Sequence, residues 1–182
     1  MVPARRLSVL IGFCFVTRAA DLAPAAIHFE DFASVPGLSL VGDATVSQKA
    51  LRLTPARSNQ AGAVWFRDKQ YIRSGFQTTF QFQLTGQDWF FHGTDGFAFV
   101  LQNCGPAALG GRGSAAGFGM TDPSNPRHPG IPWAIAVFFD TLRNPQEGDP
   151  SSNYIAIRAN GGPDRMRWPA ARIAFTPRLN VR

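Results

Sequence analysis

Apolar residues along this chain fall in short runs separated by clusters of Gly, Pro, Asn, Asp and Ser. That spacing predicts short strands joined by turns, at 27–32, 38–46, 50–54, 63–67, 76–84, 96–102, 134–140, 154–159 and 172–176. In 76–84, Phe76, Thr78, Phe80, Phe82 and Leu84 alternate with Gln77, Thr79, Gln81 and Gln83, one face apolar and the other polar. The run Ala134 to Phe139 is apolar throughout and predicts a buried strand with Asp140 at its end. Strands at such regular intervals indicate an all-β, antiparallel β-sandwich. Between Asn103 and Gly130 the sequence is too rich in Gly and Pro for a regular element, and long loops in compact domains are where ligands bind.

Length and composition narrow the class. The 182 residues suit one domain, and 45% hydrophobic with 12% aromatic content suffices for a sizeable core. The net charge is +6, yet only Lys49 and Lys69 of the 18 basic residues are lysine and the arginines are scattered. A nucleic-acid reader clusters basic and aromatic side chains on one element, and only Arg165, Met166, Arg167, Trp168 and Arg172 approach that pattern. Nucleic acid is therefore not an expected partner. Arg5 and Arg6, the apolar stretch Leu7 to Val16 and the small-residue exit Thr17 to Ala20 read as an export signal over 1–20. It is too short to span a bilayer, so no membrane span is expected and the domain at 26–182 would be secreted or periplasmic. Cys14 would leave with the signal. Cys104, beside Gly105 and Pro106 and without a catalytic partner, is expected to be a small buried side chain.

The richest chemistry lies between Val137 and Tyr154, where Asp140, Asn144 and Asp149 bracket a loop containing Pro145 and Gly148. A hard cation such as calcium prefers carboxylate, amide and carbonyl oxygens, and a loop leaving a strand can gather several around one point. The same residues also make ordinary turns, so a loop that binds no metal fits them equally. Catalysis is not expected. Glycoside hydrolysis needs two carboxylates flanking the bond, and the only glutamates are Glu30, near the start, and Glu147. His28, His92 and His128 stand far apart with no nucleophile motif beside them.

Four stretches in collinear order carry a resemblance. FEDFASVPGLSLVGDATVSQKALRLTPA (29–56), GFQTTFQFQL (75–84), TDGFAFVLQ (94–102) and FDTLRNPQEGDPSSNYIAI (139–157) together resemble the legume-lectin, or L-type lectin, family, whose fold is the concanavalin-like jelly roll. The resemblance implies a non-catalytic protein that binds glycans or glycoconjugates. It implies calcium held by Asp140, Asn144 and Asp149, with the backbone carbonyl of Leu142 as a further ligand. Asn144 would then bind the ion through its amide oxygen and offer its NH2 group to a sugar hydroxyl. Asp95, following a cis peptide bond from Thr94, would accept hydrogen bonds from other hydroxyls, and a backbone N–H near Gly111 or Gly113 would complete the set. Carboxylate, amide and N–H together read the orientation of vicinal hydroxyls. A shallow site of this kind binds weakly alone and gains from multivalency, which a homo-oligomer would supply.

Departures from the family pattern sharpen these expectations. Phe138 and Tyr154 stand where the family commonly has a glutamate and a histidine for a neighbouring transition metal, so calcium alone, or a weakened metal site, is expected. Leu142 replaces the usual aromatic that stacks on the sugar. These losses leave open a second reading, an adhesion or structural module that keeps the sandwich without binding sugar. The family also has strands beyond the one ending near Thr176, so the C-terminal strands are expected to be missing and the chain to be poorly stable alone, with open sheet edges.

Overall fold

The computed structural model describes residues 27–85, 94–120, 129–162 and 171–176. The expected export signal, His92, His128 and the basic cluster at 165–168 lie outside them. Among the described residues are eight strands and two short 3-10 turns, at Gly113–Ala115 and Pro145–Glu147. No helix there is long and apolar enough to cross a membrane.

The centre is a four-stranded antiparallel sheet in the order β5 (Gly96–Leu101), β6 (Ala134–Asp140), β7 (Tyr154–Asn160), β8 (Ala171–Phe175). Its register puts Gly96 opposite Asp140 and Asp140 opposite Tyr154, so the start of β5, the end of β6 and the start of β7 meet at one end of the sheet. Gly96 sits there with φ of 129°, and a methyl group on it would lie 2.1 Å from the Phe139 carbonyl oxygen. Only glycine lets β5 enter the ladder at that point.

Because side chains alternate across a strand, the sheet sorts its residues into two faces. One carries Ala134, Ala136, Phe138, Tyr154 and Ala156, and the Gly-rich segment closes over it with Phe118 and Ile131 to form the buried core. Each large side chain fully buried there contributes about 1.5–3 kcal/mol of hydrophobic stabilisation. Polar bonds pin the cover down. Asn160 Nδ2 donates to the carbonyls of Ile131 (3.0 Å) and Phe118 (3.3 Å), and Trp65 Nε1 donates to the Ala108 carbonyl at 2.8 Å. The opposite face is a stack of phenylalanines. Phe97 and Phe139 lie parallel at 4.6 Å, and Phe80 and Phe82 of the 76–84 segment pack on them.

The remaining strands make two antiparallel pairs, β1 (Leu38–Gly42) with β4 (Gly62–Phe66) and β2 (Thr45–Ser47) with β3 (Ala50–Arg52). The stretch read as one strand over 38–46 is thus split. At the break Asp43 donates its N–H to the Ala61 carbonyl and accepts the Ala61 N–H on Oδ2, which turns the chain out of the first ladder. The segment 76–84 and the segment 27–32, both read as strands, form no ladder among the described residues. Alternation in 76–84 gave the buried face correctly, but a strand also needs a neighbour to accept its backbone bonds. Cys104 is exposed rather than buried, its Sγ lying 3.1 Å from the Pro132 carbonyl oxygen. The bend at Asn103–Cys104 carries it out past the end of β5.

Candidate functional site

The converging strand ends gather the predicted site residues. Asp140 closes β6 and accepts the Leu142 N–H on Oδ1 at 3.1 Å. Asn144 opens the 3-10 turn Pro145–Glu147, and Gly148, with φ of 74°, ends it in the left-handed conformation. That geometry returns the chain so that Asp149 Oδ2 accepts the Asn144 N–H at 2.9 Å. Asp95 stands next to the first residue of β5, and the peptide bond from Thr94 is cis, as the resemblance implied. Its carbonyl accepts the Thr141 N–H at 3.0 Å, a main-chain link from the start of β5 to the 141–149 loop. Leu142 is half-buried.

The two glycines named from sequence sit differently. Gly111 is buried, and its N–H donates to the Gly119 carbonyl at 2.8 Å. Gly113 is exposed with φ of 61°, and a methyl group there would lie 3.3 Å from Asp95 Oδ2. The loop thus brings the Gly113 backbone against the Asp95 carboxylate, while the Gly111 N–H is taken up by Gly119.

Charge is concentrated here. Burial first, and then the Asp149 carboxylate, push Asp140 up to about 7. Burial, followed by Glu147 and Asp149, raises Asp95 above the ordinary carboxylate range. Carboxylates that raise one another in a desolvated site are relieved by a cation.

Among the described residues no group of three or more His, Cys, Asp or Glu side chains is arranged to hold a metal by itself. An ion here must therefore draw on the amide of Asn144 and on main-chain oxygen. Asn144 Oδ1 fits that need, being buried without a hydrogen-bond partner. Such an atom costs about 1–3 kcal/mol unless something meets it. The oxygen set of Asp140, Asn144, Asp149 and the Leu142 carbonyl fits calcium. Phe138 is buried against Phe118 with ring centroids 5.5 Å apart and offers no donor, and the Tyr154 hydroxyl donates to Asp149 Oδ1.

One site residue escaped the sequence reading. Arg158, its side chain 3% exposed, reaches from β7 into the loop. Its Nη2 donates to the Tyr154 hydroxyl at 2.8 Å and to Asp149 Oδ1 at 3.1 Å, and its Nη1 donates to Glu147 Oε2 at 3.4 Å. The signal was in β7 itself. Tyr154, Ala156, Arg158 and Asn160 share the inward face, and an arginine at an inward position demands a partner. Of the two glutamates, Glu147 is buried against Arg158, while Glu30 is exposed in the 27–32 segment.

A protein-family model described as the legume-like lectin family matches residues 17–165, more than half of the chain. The match spans the Asp95 strand, the glycine loop and the 140–149 loop, and it agrees with the antiparallel, all-β architecture. This is generally a non-catalytic family. The chain therefore belongs to the legume-like lectin family, and carbohydrate binding is the class of function that membership carries.

Proposed function

We propose that this protein is a calcium-dependent, non-catalytic lectin exported from the cell. The observation that carries the reading is the buried, unpartnered Oδ1 of Asn144, a residue whose N–H donates to Asp149 Oδ2 in the loop that follows Asp140. Asp140, Asn144, Asp149 and the Leu142 carbonyl would hold the ion, whose bound charge would fix Asn144 and keep the carboxylates ionised. Asn144 would then present its NH2 group, and Asp95, with the Gly113 backbone beside it, would accept from sugar hydroxyls. Carboxylate and amide so placed distinguish hydroxyl orientations. Leu142 contributes apolar contact without aromatic stacking, so affinity for a single sugar is low and gains from a second copy of the site.

A second reading has its own support. Asp149 Oδ1 already receives Arg158 and Tyr154, which leaves less of this carboxylate for an ion and favours an adhesion module that has lost sugar binding. Glycan-array binding with and without a calcium chelator separates the two. The lectin reading expects binding that the chelator removes and that Asp95→Ala or Asn144→Ala abolishes. Binding that survives chelation and both substitutions would sink the mechanism, and binding to no glycan at all would favour the adhesion module.

A further inference from the structure

The 144–149 loop folds onto a cation supplied by the neighbouring strand. Arg158 stands in the middle of β7 and forks around Gly148, with Nη1 on Glu147 and Nη2 on Asp149. Both partners have side chains at most 3% exposed, and the guanidinium carbon lies 4.9 Å from the centre of the Phe138 ring. The Tyr154 hydroxyl bridges the same atoms, accepting from Arg158 and donating to Asp149. Arg172 Nη1 approaches Asp149 Oδ1 from β8 at 3.9 Å. A buried charge survives only when paired and hydrogen-bonded, and here the pairing runs into the loop that carries the ion ligands. With Oδ1 of Asp149 fixed from below by Arg158, Oδ2 is aimed at the Asn144 N–H.

We infer that Arg158 is a built-in counter-cation that holds the 144–149 loop in its ligand-ready form before any ion arrives. It is a positioning residue. Its guanidinium pairs with Glu147 and Asp149 at once, so the loop does not depend on divalent ions for its shape. The identity of the ligands it positions rests on the calcium reading above, whereas the clamp itself does not.

Amide hydrogen exchange on the full, chelator-treated chain tests it. The amides of Asn144, Glu147, Gly148 and Asp149 donate within the loop and report its closure. In the unsubstituted protein they should be protected without ions. Arg158→Met should speed their exchange by at least about tenfold, as for loss of one charged hydrogen bond, while β6–β7 ladder amides change far less. Arg158→Lys, which keeps the charge but not the fork, should retain part of the protection. Millimolar calcium should restore the Arg158→Met loop. If Arg158→Met yields no soluble protein, Tyr154→Phe removes the hydroxyl bridge with the ring kept and is read by the same criteria. Loop exchange unchanged in the variant, or loop and ladder amides falling together, overturns the inference. Calcium without effect on any variant or on the unsubstituted loop overturns the calcium reading alone, and the metal-free exchange still decides the role of Arg158.

Discussion

The two faces of the central sheet are built from alternate residues of the same strands, yet they end up in different states. On β6 and β7, Phe138, Tyr154 and Arg158 are at most 2% exposed, whereas Ile135 and Ile157, pointing the other way, are 40% and 36% exposed. The first face is closed by the glycine loop through Phe118, Ile131 and the bonds from Asn160. The second is covered only in part, by the rings of the 76–84 segment over Phe97 and Phe139. The difference shows where the site draws its rigidity. The β7 side chains that bond to the 140–149 loop, Tyr154 and Arg158, belong to the closed face, so the loop inherits the order of the core.

Substitutions on the two faces should therefore differ sharply. Phe138→Ala removes a buried ring from under Phe118 and Arg158 and should cost about 3–5 kcal/mol in denaturant unfolding. A cost below about 1 kcal/mol would mean that the closed face is not the core. Asn160→Ala leaves the carbonyls of Ile131 and Phe118 without their donor and should cost about 1–3 kcal/mol. Gly113→Ala places a methyl in a left-handed position against Asp95 and should cost about 1–2 kcal/mol. It should also weaken glycan binding, as titration calorimetry would read, which distinguishes it from a purely structural change. The smallest effect is expected from Ile135→Thr on the open face, within about 1 kcal/mol. A loss there as large as for Phe138 would show that something covers this face in solution.

The closed face was the more legible one in the sequence. β6 falls at Ala134–Asp140 as its unbroken apolar run predicts, β7 runs one residue longer than expected, and β8 is shifted by one residue. Both faces of β6 carry apolar side chains, so burial dictated the element directly. The open face was harder. Phe76, Phe80 and Phe82 announce an apolar side, but a ladder depends on a neighbour far along the chain, and local pattern contains no trace of it. The site divides likewise. Asp140, Asn144 and Asp149 share one loop and could be read from spacing, and Asp95 from its motif. Arg158 was passed over because its partners, Glu147 and Asp149, are brought to it only when β7 pairs with β6 and the loop folds back.

The main-chain bond from the Thr141 N–H to the Asp95 carbonyl has a consequence for how such a site can diversify. Both partners are backbone atoms, so no exchange of side chains at position 95, and none but proline at position 141, deletes the tie. Residues on either side of it can be exchanged one at a time while the frame that spaces them stays in place.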